Sequence, residues 1–113
     1  MRADWDSSKV ALLRVDTRHE GSEATITVEG ELDYSTAEQF RTCILEVLDT
    51  KPRSVSIDAH AVKYVDSSGL SVLLRAHGLA FVDHVAFRIA DPSPQLRRLV
   101  ETTGTGDLLL PDE

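Results

Sequence analysis

Residues 64–74 read YVDSSGLSVLL. An aspartate, two serines and a glycine stand directly ahead of an apolar run. Asp and Ser are favoured N-cap residues, because a side-chain oxygen accepts one of the unpaired N–H groups of a helix's first turn. The stretch predicts a helix start, with Asp66, Ser67 or Ser68 able to serve as its cap. Leu70, Leu73, Leu74, His77 and Phe81 follow at helical spacing and predict one buried stripe. One cap needs one residue, however, and three polar residues stand together. Gly69 falls in the first turn, although glycine costs about 1 kcal/mol against alanine in a helix interior. Lacking a Cβ, it lets another surface approach closely. A serine at a helix start is also a good place for a phosphate, because the oriented N–H groups and the helix dipole favour an anion.

Working outward, the flanking segments alternate with this helix. Residues 9–17, KVALLRVDT, read as a strand whose alternation slips at Leu12-Leu13. After the turn-like HEGSE comes ATITVEGEL, with Ala24, Ile26 and Val28 facing one way and Thr25, Thr27 and Glu29 the other. This two-residue period predicts a second strand and a hairpin. In STAEQFRTCILEVLDT, Ala37, Phe40, Ile44, Val47 and Leu48 recur at helical spacing. Ser35 followed by Glu38 fits a capping box, and Pro52 stops the helix. RSVSIDA and HVAFRIA predict two further strands, with Val55, Ile57, Ala59 and Val85, Phe87, Ile89 inward. Ser93, Pro94 and Gly104 bracket a third helix as cap, first helical residue and terminator. DLLL, residues 107–110, reads as a last short strand.

The predicted order is β-β-α-β-α-β-α-β, an α/β fold. Two β-α-β units imply parallel neighbours joined by right-handed crossovers. A parallel sheet covered on both faces has near-continuous apolar strands. These strands alternate, so the expectation is a single mixed β-sheet with helices mainly on one face. Residues 1–8 read as a flexible N-terminal arm and 9–113 as one domain.

Composition narrows the function. The 113 residues carry a net charge of −7 and no Lys/Arg cluster beyond the two adjacent arginines of QLRRL, which argues against a nucleic-acid partner. One cysteine, Cys43, excludes an internal disulfide, and no apolar run is long enough for a membrane span. The polar start has no apolar signal-peptide core. The expected setting is cytoplasmic, away from membranes. No G-x-S-x-G elbow, H-E-x-x-H, phosphate loop or cysteine pair is present, and His19, His60, His77 and His84 show no ligand spacing. The expectation is a protein without enzymatic activity, cofactor or metal. An enzyme with Ser67 as nucleophile would need a base brought from a distant part of the chain.

The segments VEGELDYSTAEQF and VKYVDSSGLSVLL, in this order of strands and helices, resemble the STAS domain, specifically the bacterial anti-sigma-factor antagonists. The resemblance runs from about Val10 to Leu110. It implies that Ser67, directly after the aspartate, is the phosphorylated residue. It implies an anti-sigma-factor antagonist whose unphosphorylated form binds an anti-sigma factor, itself an ATP-dependent serine kinase, and frees a sigma factor. Phosphorylation ends that complex, and a PP2C-type serine phosphatase resets it. The same resemblance places Asp33, Tyr34 and Thr36, with Asp66, Ser67, Ser68, Gly69 and Leu70, in the partner-binding surface. The chain departs from many relatives in two places. Ser71 stands where a glycine follows the leucine, and Asp83-His84 where two glycines precede the last long strand. The alternative implied is a STAS regulatory or scaffold module of a transport or signalling complex that is not phosphorylated.

Overall fold

In the computed structural model, which describes residues 12–111, the alternating apolar residues become one buried sheet face. Strands β1 (Leu13–Glu20), β2 (Glu23–Leu32), β3 (Ser54–Val65) and β4 (Ala86–Pro92) form a four-stranded sheet in the order β1-β2-β3-β4. The expected hairpin is present: β1 pairs antiparallel with β2, and Glu20 faces Glu23 across a tight turn. The two later pairings are parallel, as the β-α-β reading requires. Ile26, Ile57 and Ile89 stand in register across three strands, each at most 1% exposed. Complete burial of each such side chain contributes about 1.5–3 kcal/mol.

Helices α1 (Ala37–Asp49), α2 (Ser67–Val82) and α3 (Pro94–Thr103) share one core with this face. Phe40, Ile44, Val47 and Leu48 of α1 are buried, as their spacing predicts. Ser93 caps α3 by accepting the Leu96 N–H, Pro94 opens it, and Gly104 closes it in the left-handed conformation. On the other sheet face Thr25, Thr27, Ser54 and Ser56 are only half-buried, so the helices leave that face open.

Five details differ from the sequence expectation. The first strand begins at Leu13, past the slip in alternation; residues 1–8, expected as an arm, and 9–11 lie outside the described residues. Residues Gly106–Leu109 form a short helix, α4, rather than a strand, with Leu109 turned into the core. The β3 strand continues to Val65, beyond Ala59. Its inward residues are Val55, Ile57, Ala59 and then Val62, because a bulge inserts one extra residue and breaks the two-residue period. The buried stripe of α2 contains Leu70 and Leu73, but also Val72, Ala76 and Ala80, while Phe81 is 75% exposed. That helix packs against α1 as well as the sheet, so its apolar stripe is broader than one row.

The fifth difference is the start of α1. Ser35 and Glu38 form no capping box: the N-cap position is Thr36, and the Glu38 carboxylate pairs with Arg41 at 2.8 Å. The Asp33 carboxylate already holds the Ser35 hydroxyl and N–H, leaving Ser35 committed to the turn before the helix.

Candidate functional site

Strands β2 and β3 run parallel and end together, with Leu32 paired to Val65. Asp33 and Asp66 are the next residues, so two aspartates leave adjacent strands at one level and begin the turns into α1 and α2. The backbone ties these turns together, since the Asp66 N–H donates to the Leu32 carbonyl at 3.2 Å. The carboxyl ends of parallel strands are where α/β sheets commonly place binding sites.

In the second turn, Asp66 is the cap. Its carboxylate accepts the N–H of Ser68 at 2.8 Å and of Gly69 at 3.2 Å. This resolves the choice left open by the sequence among the three polar residues. Ser67 is the first residue of α2 and is exposed, and Ser68 is half-buried. Gly69 and Leu70 are buried. A Cβ on Gly69 would meet the Leu32 carbonyl oxygen and stand 2.7 Å from Leu32 Cγ. The surface that needs this glycine is therefore the end of β2 in the same chain.

In the first turn, Asp33 accepts from the Ser35 hydroxyl at 2.7 Å, the Ser35 N–H at 2.9 Å and the Thr36 N–H at 3.2 Å. The Ser35 hydroxyl bond is the largest influence on its carboxyl pKa, which is held below the usual value despite partial desolvation. Thr36 is buried; its hydroxyl donates to the Glu31 carbonyl at 2.8 Å and receives the Asp33 N–H at 3.0 Å. Tyr34, between them, is 85% exposed. Upstream, Gly30 has φ of +106°, and a Cβ there would collide with the Leu12 carbonyl. The glycine of GELD thus lets the chain entering β1 approach β2 closely, where the Glu31 N–H donates to the Leu12 carbonyl at 2.7 Å.

The eight residues expected at the site fall into two groups. Asp33, Tyr34, Asp66, Ser67 and Ser68 are at or near the surface, whereas Thr36, Gly69 and Leu70 are buried and shape the turns from beneath. A groove of about 600 Å³ joins the two turns, lined by Tyr34, Ser35, Arg41, Ser68, Ser71 and Arg75 among others. Arg41 and Arg75 are the residues the sequence reading missed. The only signal for Arg75 is its position one helical turn beyond Ser71, which becomes informative once the two helices are known to be neighbours.

Other chemistry-bearing residues lie elsewhere. Cys43 is half-buried on α1, and desolvation, followed by the charge of Glu46, raises its thiol pKa. That is the reverse of what an activated nucleophile needs. His77 is half-buried and packs edge-on to Phe87, with ring centroids 6.5 Å apart.

The fold that carries these turns agrees with the comparisons. Residues 15–111 match the family model described as Mlab, STAS domain, and the chain belongs to the STAS domain family. A STAS-domain containing protein of Pseudomonas aeruginosa (strain UCBPP-PA14) is 31% identical over 81 residues, covering 72% of this chain and 79% of that one. An anti-sigma F factor antagonist of Paenibacillus polymyxa is 24% identical over 93 residues, covering 81% and 80%. Among solved structures, an anti-sigma factor antagonist from Mycobacterium paratuberculosis has a TM-score of 0.79 at 24% identity, covering 88% and 86%. The antagonist SpoIIAA has TM-scores of 0.74 unphosphorylated and 0.69, as the Bacillus cell fate determinant, phosphorylated. Both are 20% identical and cover 88% of this chain, with 89% and 92% of their own. The mixed four-stranded sheet with helices on one face is the fold of these antagonists. Among the described residues, no helix is long and apolar enough to cross a membrane.

Proposed function

We propose that this chain is a non-enzymatic anti-sigma-factor antagonist switched by phosphorylation at Ser67. Unphosphorylated, it binds an anti-sigma factor with ATP-dependent serine kinase activity and frees a sigma factor. Phosphate on Ser67 ends binding, and a PP2C-type phosphatase restores it. The observation that carries this reading is the position of Ser67: exposed, first in α2, with Asp66 rather than Ser67 acting as the cap. The Paenibacillus relative named as an antagonist supports it.

The physics allows a switch without refolding. A phosphate adds about −1.5 to −2 charge at neutral pH. A like-charge contact at about 4 Å with an effective dielectric near 20 costs about 4 kcal/mol. Each 1.4 kcal/mol is about tenfold in affinity, so one such contact weakens binding by roughly a thousandfold. The helix dipole offsets only about 0.3–1 kcal/mol of this. The cap bonds of Asp66 do not involve the Ser67 hydroxyl, so they survive its modification. The partner surface we assign comprises Asp33, Tyr34, Asp66, Ser67 and Ser68, supported from beneath by Thr36, Gly69 and Leu70.

A Ser67→Ala bait tests the partner. It cannot be phosphorylated off an anti-sigma factor kinase, so it should retain that kinase more strongly than wild-type does when ATP is present. Equal release of both proteins by ATP would contradict the proposal. A second reading is a STAS module of a transport or signalling complex that is not phosphorylated. The family model and the Pseudomonas relative are named for the STAS domain and not for an antagonist role, which agrees with this reading equally well. Co-purification with a membrane transporter, with no phosphate acquired, is its expected signature.

A further inference from the structure

Strand alternation in β3 and a bulge in β4 bring a second set of reactive side chains together on the open sheet face. In β3 the ordinary two-residue period places His60 beside Asp58 on the side away from the helices, while Ala59 points into the core and, past a bulge, so does Val62. In β4 a shift between the pairs Ile57–Ile89 and Asp58–Asp91 sets Asp91 directly opposite Asp58. Like charges directly opposite one another destabilise a sheet. Among the described residues neither carboxylate is bridged by a lysine or arginine; Asp58 pairs with His60, Nδ1 to Oδ1 2.7 Å. One donor atom each from Asp58, His60 and Asp91 lies within 4.8 Å of the others.

We propose that Asp58, His60 and Asp91 form a binding site for a divalent transition-metal ion of the zinc class. Two carboxylates and an imidazole suit such ions, whereas Mg²⁺ and Ca²⁺ take oxygen ligands almost exclusively. Ligand bonds of about 2.0–2.2 Å fit donor atoms roughly 3.4 Å apart, so modest rotation of exposed side chains closes the triangle. The backbone is already in place, with two ligands two residues apart on one face of β3 and the third in register on β4. The ion would neutralise the facing carboxylates and link a central strand to the edge strand. Glu29 of β2 also faces His60 electrostatically and adds to the negative field. Three protein ligands leave coordination positions open to water. The site lies on the sheet face away from the groove between α1 and α2, so it is separate from the proposed switch.

The test is calorimetric titration of the full chain with Zn²⁺, in parallel with His60→Gln, Asp91→Asn and, as a control, His84→Gln. All three positions are exposed, and circular dichroism checks that each variant is folded. The proposal expects saturable one-to-one binding by the wild type and by His84→Gln. Binding should weaken by about tenfold or more in each of the other two. Zn²⁺ should also raise the thermal midpoint of wild-type but not of His60→Gln, since a ligand that binds only the native state stabilises it. Absence of saturable binding, or equal binding by all four proteins, would overturn the site.

Discussion

The side chain and carbonyl of Leu32 occupy the space into which a Cβ on Gly69 would project, 2.7 Å from Leu32 Cγ. The end of β2 and the first turn of α2 are thereby locked at the point where the two aspartate turns meet. Gly69→Ala should destabilise the protein by about 1–3 kcal/mol through overpacking, although alanine is the better helix former. Urea denaturation checks this: an unchanged or higher midpoint at constant slope would refute the contact.

The cap assignment separates three neighbouring residues. Asp66→Ala should cost about 1 kcal/mol, while Asp66→Asn should retain most of the cap. Ser67→Ala and Ser68→Ala should each cost less than Asp66→Ala, because neither hydroxyl supplies the cap. The same denaturation series reads all four. A larger loss for Ser68→Ala than for Asp66→Ala would reverse the assignment.

The Asp33 turn should respond to pH. The Ser35 hydroxyl, then the backbone N–H groups of Ser35 and Thr36, hold its carboxyl below the usual value. A depressed folded-state pKa contributes stability above the unfolded value, about 3.9, and that contribution is lost as pH falls through the folded value. In a carbon-detected NMR titration, Asp33 should therefore titrate below an ordinary aspartate. Ser35→Ala should move its midpoint upward. An unmoved midpoint would show that the hydroxyl bond is not what shifts it.

His84 adopts a φ of +60°, a left-handed conformation that glycine takes without strain. Holding a residue with a Cβ in this conformation costs about 1–2 kcal/mol. His84→Gly should therefore raise stability, by less than that amount because glycine also gains freedom in the unfolded chain. A fall in the urea midpoint would show that His84 makes a compensating contact.

Much of this architecture was legible because its determinants are local. Ser93, Pro94 and Gly104 define α3 within a few residues of one another, and the alternation of Ala24, Ile26 and Val28 defines β2. What was hidden depends on distant neighbours. The bulges interrupt the period of β3, so its last residues and the approach of His60 to Asp91 have no simple pattern. Ser35 matches a capping box, but Asp33 competes for it and wins through two hydrogen bonds to Ser35, with a third from the Thr36 N–H. Gly69 has a visible helix-propensity cost in sequence and a reason only in three dimensions, where Leu32 reaches it. Asp33 and Asp66 were each singled out from their own motifs, but their common level on adjacent strands needed the register of β2 and β3.

The central claim is that Ser67 is the modified residue of a phosphorylation switch. Its most direct test is phosphosite mapping by tandem mass spectrometry after incubation with the cognate anti-sigma factor and ATP. A single phosphate on Ser67, absent from Ser67→Ala, is the predicted result. A phosphate carried on Ser68, Ser71 or elsewhere, or retained in Ser67→Ala, would contradict it.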